Sequence, residues 1–428
     1  MNSSSGGFLR LTASRVLTLE GEPVANGAVL VGDDGRVAEV GVDSAVSCPE
    51  GTRVEALGDV VLLPGLVNAH THLELTGLPD GESPTDFPRW IRRIRELKER
   101  RTAEEYRAAA RTGLQDCWSA GVTTIADTGD SGAVIEALHQ MGGRGIVYQE
   151  VFGPHPDQLR SSMVLLERTL ERLEQFTSER VRLGVSPHAP YTVSGPLYRA
   201  VGELADRDDL PVAVHLAESP AESELIRSGA GPFADAWRAR GIPLPEDTRH
   251  LDRPFPVRTP VRWLEAHGVL GPETLCIHAV QVDAADIAVL AKNDGAIAHC
   301  PLSNRAHQHG EAPLGALLAA GLRVGIGTDS TASVGRLDLL AEARAARSLA
   351  GLSAERALRL VTLEGAMAIG FTDIGLIAPG AWADFTAVDC GSLPGAARDA
   401  ESVAEAVLQT GPDAVVATWV AGREVYRA

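Results

Sequence analysis

Residues 62–75 read LLPGLVNAHTHLEL, an apolar run that breaks at Pro64-Gly65, resumes, and ends in two histidines one residue apart, His70 and His72. Side chains alternate faces along a β-strand, so residues two apart point the same way. A strand that ends in His-x-His therefore aims two imidazoles at one place. An isolated pair of this kind is a weak signal, and its meaning depends on what the rest of the chain brings to the same place.

From about residue 62 to 370, short runs rich in Val and Ile alternate with longer stretches of Ala, Leu, Glu and Arg, the pattern of βα repetition. Strands are predicted at GLVNAH (65–70), GVTTIAD (121–127), GIVYQEV (145–151), VRLGVSP (181–187), VAVHLAE (212–218), TLCIHAV (274–280), GAIAHCP (295–301) and RVGIGTD (323–329). Helices are predicted between them, including one stretch over 88–120 and another over 339–351. Eight strands over about 310 residues suit an α/β fold of the (β/α)8 TIM-barrel type, typically about 250 residues before insertions. A doubly wound open sheet is the alternative, but the Gly-rich phosphate fingerprint after its first strand is missing.

Strand-like runs at 9–19, 27–41 and 52–57, separated by Gly/Asp turns, read as a small antiparallel sheet, and 380–389 and 414–428 have the same character. Both ends are expected to meet in one small β-domain. The division is then 1–62 with 372–428 for that domain and 63–371 for the barrel.

A barrel of this kind carries its functional face at the C-terminal ends of its strands. Six of the 12 histidines fall there: His70, His72, His188, His215, His278 and His299. The eighth strand ends in Asp329. His70 and His72 converging with His215 and Asp329 offer three nitrogens and a carboxylate oxygen, a set that zinc accepts, with iron and manganese as alternatives. A lone strand-end histidine is more often a packed one, and His299 and His155 fit that reading as well as a functional one.

Whole-chain properties narrow the partners. The 428 residues, 44% hydrophobic and 22% charged, match a soluble globular protein with a large core. A formal charge of -18 argues against nucleic acid and anionic membranes, both of which need a basic surface. The five cysteines are scattered, with no C-x-x-C, as in a reducing compartment. No secretory signal pattern is read in MNSSSGGFLRL and no run reaches membrane-span length, so the cytoplasm is the expected location. A homodimer is the base-rate expectation for assembly.

These features together resemble the amidohydrolase superfamily, and more closely its cytosine deaminase-like branch of adenosylhomocysteine/methylthioadenosine deaminases, aminofutalosine deaminases and triazine chlorohydrolases. The matching pieces are PGLVNAHTHLE, SPHAPYTVS, VHLAES, IHAVQVD, HCPLSN and GIGTDSTAS. The late IGLIAPGAWADFTAVD and VVATWVAGREVY are similar to the family's returning β-sandwich. The resemblance implies that His70, His72, His215 and Asp329 bind one catalytic divalent metal, zinc first among candidates. Two-metal relatives bridge their ions through a fourth-strand residue, and VRLGVSPHAP offers no Lys, Glu or Cys for that.

The resemblance also implies a chemistry, hydrolysis of a non-peptide carbon–nitrogen bond in a small molecule by a metal-activated water. Glu218, three residues past a ligand, is the expected proton carrier between that water and a leaving amine. A solvated carboxylate at a helix N-terminus is its ordinary alternative. His278 is expected to stabilise the tetrahedral intermediate and Asp329 to accept a proton besides ligating. His188, Trp90 and Asn304 are the expected substrate contacts, while Glu342 reads as structural. The run RRIRELKERRTAEE (92–105) reads as a solvent-exposed helix face with i,i+4 pairs. Pro220–Pro260 reads as a long loop over the barrel mouth.

Deamination of an aminopurine nucleoside derivative or similar heteroaromatic amine is the first expectation, of the aminofutalosine or methylthioadenosine/adenosylhomocysteine type. Amide or chloride hydrolysis on another small heterocycle is the second, and a non-catalytic barrel the third. Nucleic-acid deamination is disfavoured, because its H-x-E…P-C-x-x-C signature is absent.

Overall fold

The computed structural model describes residues 7–78, 86–244, 259–391 and 399–428. Eight strands in chain order form one parallel sheet: β6 (Leu66–Thr71), β7 (Val122–Gly129), β8 (Arg144–Val151), β9 (Val181–Pro187), β10 (Val212–Leu216), β11 (Thr274–His278), β12 (Ala296–His299) and β13 (Arg323–Ile326). Each pairs with its sequence neighbour, and all eight match the expected runs. They were readable because helices cover one face and core fills the other, leaving β7 and β8 buried along their full lengths.

The sheet closes between its first and last strands. Asp329 N donates to His70 O at 3.0 Å and Thr328 N to the same oxygen at 3.2 Å. Asn68, fully buried, reinforces the seam, donating to Thr328 Oγ1 at 2.8 Å and accepting from Thr328 N at 3.0 Å. Gly327 makes the approach possible, since a Cβ there would lie 2.7 Å from His70 N.

The other strands are β1 (Leu9–Val16), β2 (Val24–Val31), β3 (Val37–Val42), β4 (Arg53–Ala56), β5 (Val61–Pro64), β14 (Phe385–Val388), β15 (Val415–Val420) and β16 (Arg423–Arg427). They form a mixed sheet in the order β16-β15-β14-β5-β1-β2-β3, so the two ends of the chain do meet. The expected antiparallel pattern holds for β1–β2–β3 and for β5–β14–β15–β16. β4 and β5 both run parallel to β1, β4 against Leu9–Thr12 and β5 against Arg15–Val16, so the sheet forks at β1. The connection 43–52 carries the chain from β3 back to the other edge of β1, where β4 pairs, and after only 57–60 the chain continues along that edge in the same direction as β5. Gly65 carries the chain from β5 into β6 through a passage where a Cβ would meet Thr123 Oγ1 at 2.1 Å.

The helical stretch expected over 88–120 is two helices, α1 (Phe87–Lys98) and α2 (Ala103–Ser119). Thr102 stops the first and starts the second. Its hydroxyl accepts from Glu105 N, and the Glu105 carboxylate accepts from Thr102 N, a reciprocal cap. The Pro220–Pro260 segment also departs from expectation. Residues 220–239 form helices Pro220–Ser228 and Gly231–Ala239, the first capped by Ser219 and ended by left-handed Gly229. Residues 245–258 of that segment lie outside the described residues. No helix among the described residues is long and apolar enough to cross a membrane.

Arg144, at the start of β8, ties the two sheets together. It is 0% exposed, donates to Asp384 Oδ2 at 2.5 Å and stacks 4.6 Å from the Trp382 ring. Asp384 also accepts from Ala421 N at 2.7 Å. Removing one partner of a buried pair strands the other charge, at about 3–5 kcal/mol. Asp384→Ala is therefore expected to lower the denaturant midpoint by that equivalent, and Asp384→Leu with Arg144→Met to recover most of it. An unchanged midpoint for Asp384→Ala would contradict the pairing.

Candidate functional site

The strand ends surround a cavity of about 490 Å³, within the range of small-molecule sites. His72, His215, Glu218, His278 and Asp329 line it together with Trp90, His188 and Tyr191. His70 is packed beside His72, ring centroids 4.7 Å apart. The structure thus brings together every expected metal ligand and proton-transfer residue.

Backbone carbonyls set the imidazole tautomers. His72 Nδ1 lies 2.8 Å from Thr128 O, and His215 Nδ1 lies 3.1 Å from His188 O. A carbonyl only accepts, so both Nδ1 atoms carry the proton and both Nε2 atoms present lone pairs. Those two Nε2 atoms stand 3.3 Å apart, where neither can donate to the other. His70 is 1% exposed and neither of its ring nitrogens has a partner. Asp329 Oδ1 lies 3.7 Å from His72 Nε2 and 4.0 Å from His70 Nε2.

Facing lone pairs and an orphaned buried imidazole are what a cation resolves. Ligands about 2.0–2.1 Å from a tetrahedral zinc stand roughly 3.3 Å from one another, so the residues present fit the ion. Burial, reinforced by the surrounding imidazoles, holds the pKa of His70 well below the ordinary histidine value, and burial takes His215 down to about 4. Both rings are neutral, as ligation requires.

The ligand carboxylate is itself oriented. Asp329 Oδ2 accepts from Ser303 Oγ at 2.5 Å and Oδ1 from Ser330 N at 2.6 Å. Asp329 and His278 both have left-handed backbones, φ 62° and 74°, as does Ala217 at 51° just before Glu218. Non-glycine residues in that region cost energy and persist where packing over-determines them. Four of the ten described non-glycine residues with positive φ, Ala217, His278, Ala279 and Asp329, stand at the strand ends that carry the chemistry.

Glu218 is 4% exposed, so the solvated-carboxylate alternative does not describe it. Its Oε1 faces His278 Nε2 at 3.5 Å and His309 Nε2 at 3.3 Å, and its Oε2 accepts from Tyr191 Oη at 3.2 Å. Burial alone would raise its pKa, but His278 and then His309 outweigh that and hold it down to about 2. The backbone beside it is pinned by Glu222, whose carboxylate accepts from Ala217 N and Glu218 N at 2.7 and 2.8 Å.

Of the expected substrate contacts, His188 and Trp90 line the cavity. Asn304 does not. It is buried on the helix Pro301–Ala306, its amide nitrogen 3.3 Å from His299 Nδ1, and borders a separate depression. His299, buried, donates from Nδ1 to His278 O, and His155, partly exposed, caps a short turn; neither lines the cavity. Glu342 accepts from Leu302 N and is buried, as its structural reading implied.

The 92–105 run is only partly the exposed face expected of it. Arg95 and Glu99 make an exposed i,i+4 pair at 2.9 Å. Lys98 instead turns inward from the end of α1 and pairs with Glu74 at 2.6 Å and Asp130 at 2.8 Å on the cavity wall. Glu150, beside them, is buried, its Oε1 without a hydrogen bond and 3.9 Å from His188 Nε2. Sequence reading missed this cluster, together with Tyr191 and His309. Glu74 and Tyr191 do lie inside the matching pieces PGLVNAHTHLE and SPHAPYTVS, and His307-x-His309 repeats the spacing of His70-x-His72, but none of these marks a role.

Comparison with known proteins places these features in a family. The amidohydrolase family model matches residues 61–425. The 5-methylthioadenosine/S-adenosylhomocysteine deaminase of Pelotomaculum thermopropionicum is 31% identical over 401 residues, spanning 89% of this chain and 84% of that protein. The aminodeoxyfutalosine deaminase of Deinococcus radiodurans is 32% identical over 346 residues, spanning 80% and 81%. The crystal structure of an adenosine deaminase from Xanthomonas campestris with bound zinc superposes with a TM-score of 0.81 at 25% identity, covering 97% of this chain and 92% of that one.

A ligand that binds only the folded state stabilises it, by about 4 kcal/mol at a thousandfold excess over Kd. Chelation of the zinc-loaded protein is expected to lower Tm and zinc to restore it, with His70→Ala protein showing neither shift. A Tm indifferent to chelator and zinc would argue against the centre.

Proposed function

The chain belongs to the amidohydrolase family and is a deaminase-type hydrolase, and we propose that its substrate is an adenine-containing nucleoside derivative. One relative named above is a deaminase of methylthioadenosine and S-adenosylhomocysteine, and another is a deaminase of aminodeoxyfutalosine. We further propose one metal ion per chain, zinc first, held by His70, His72, His215 and Asp329. Glu150, His188 and His215 also stand close enough to share a cation, but they would compete for the same His215 nitrogen.

The observation that supports deamination best is Glu218, a buried carboxylate at the cavity floor beside the candidate ligands and His278. When bound, the metal supplies a Lewis acid that lowers the pKa of a water from 15.7 to about 7. Glu218, ionised at neutral pH, takes a proton from the attacking water and delivers it to the departing amine. A carbon–oxygen bond forms, the carbon–nitrogen bond breaks, and ammonia leaves an oxo ring.

His278 is neutral, because burial takes its pKa to about 3, and it donates to the oxygen that develops charge in the tetrahedral intermediate. Asp329 accepts a second proton from the nucleophile. His188 orients the ring through one of its nitrogens, with Thr192 Oγ1 at 2.7 Å from Nδ1 holding the imidazole. Trp90 supplies an apolar wall.

We also propose that 1–62 with 372–428 and 63–371 are the two domains, a reading supported by the two hydrogen-bonded sheets. A cytoplasmic homodimer remains part of the proposal, to be checked by light scattering and cell fractionation.

The deciding experiment is ammonia release by metal-loaded enzyme from adenosine derivatives, aminodeoxyfutalosine, guanine, cytosine, pterins and triazines. Turnover of an adenine nucleoside is expected. No ammonia from any amine, with an amide or halide cleaved instead, would replace the reading. Glu218→Gln should cut kcat by about 10²–10⁴-fold while metal content per chain stays the same.

A further inference from the structure

Three side chains close on Glu218, His278 from the end of β11, Tyr191 from the loop after β9, and His309 from beyond β12. His309 sits in the turn after the helix Pro301–Ala306, and its imidazole is 2% exposed. The turn is pinned at both ends of the residue. His309 N donates to Asn304 O at 2.9 Å, and His309 O accepts from the Gln281 side chain at 2.5 Å. The ring packs edge-on against Phe87, centroids 4.5 Å apart and planes at 87°. Phe87 also meets the ring of Tyr191, the donor to Glu218 Oε2. One aromatic side chain from α1 thus braces both of the outer donors on this carboxylate.

We propose that His309 is a positioning residue for Glu218, presenting a second imidazole N–H to the same carboxylate oxygen that His278 faces. The inference rests on the reading of Glu218 as the proton carrier. His278 has two demands on one N–H, the glutamate and the oxygen that develops charge on the substrate. When it turns to the substrate, Oε1 would lose that neighbour and only the Tyr191 hydroxyl on Oε2 would hold the three-torsion side chain. His309 has no such second demand. It lines no part of the cavity wall, and its 3.3 Å contact to Oε1 keeps the carboxylate aimed through the cycle. Misplacing a reacting group by about 1 Å costs on the order of 100-fold in rate, so holding it is a catalytic contribution made through another residue.

The test uses full-length, zinc-loaded His309→Leu, His309→Gln, His309→Asn and Glu218→Gln enzymes, with methylthioadenosine and aminodeoxyfutalosine as probes. His309→Leu should lose about 10- to 100-fold in kcat with KM within about threefold and zinc per chain unchanged. Glutamine places an amide N–H near the position of Nε2 and should recover most of kcat, whereas the shorter asparagine should not. Wild-type kcat in His309→Leu, loss that tracks loss of zinc, or glutamine as damaging as leucine would each overturn the inference. Should His309→Leu fail to fold, glutamine and asparagine variants of equal activity would overturn it. Neither probe deaminated, or an active Glu218→Gln, removes the reading beneath the inference and the inference with it. A dead Glu218→Gln beside a wild-type His309→Leu overturns the inference alone.

Discussion

The seam between β6 and β13 is the constraint on which the rest depends. His70 contributes its carbonyl oxygen to the bonds that close the barrel, and its imidazole to the candidate metal centre. Asp329 contributes its backbone N–H to the same seam and its carboxylate to the same centre. Closing the sheet and gathering the ligands are therefore one event. Asn68 and Gly327 serve the centre without touching it, one by bonding across the seam and the other by lacking a side chain where β13 meets His70.

The backbone also decides protonation. Carbonyl oxygens of Thr128 and His188 take the Nδ1 protons of His72 and His215, leaving lone pairs directed at a common point. Burial adds to this by keeping the imidazoles neutral. The one acidic group that must stay charged, Glu218, instead accepts from Tyr191 Oη and faces the imidazole nitrogens of His278 and His309 at 3.5 and 3.3 Å. A single buried pocket thus holds neutral bases and an ionised acid side by side, because each has a different set of neighbours rather than a different depth.

Much of this was legible in the sequence, and for a physical reason. Parallel strands buried on both faces must be written as short apolar runs, and ligands that converge at strand ends must stand at the ends of those runs. What escaped reading depends on direction in space. Lys98 sits in a charged helix run whose neighbours Arg95 and Glu99 do face water, and nothing in the run marks the one that turns inward. His309 reaches Glu218 from a turn, where no periodicity fixes orientation. The break at Thr102 was written plainly as Thr-Ala-Glu-Glu, yet a continuous helical composition on both sides hides it. The parallel course of β4 follows from the connection 43–52, which carries no strand pattern, and β5 continues along the same edge in the same direction.

The mixed sheet interleaves the two ends of the chain, with β14 lying between β5 and β15 and Val61 opposite Val388. During synthesis, β5 must therefore emerge, and the whole barrel after it, before the strand that completes its edge exists. Until then β5 offers an open row of backbone donors and acceptors, an invitation to pair with another nascent chain. The two-sided pairing that later seals it makes the mature fold a knot of early and late sequence. Trimming even the last few strands would expose the oldest part of the molecule rather than the newest.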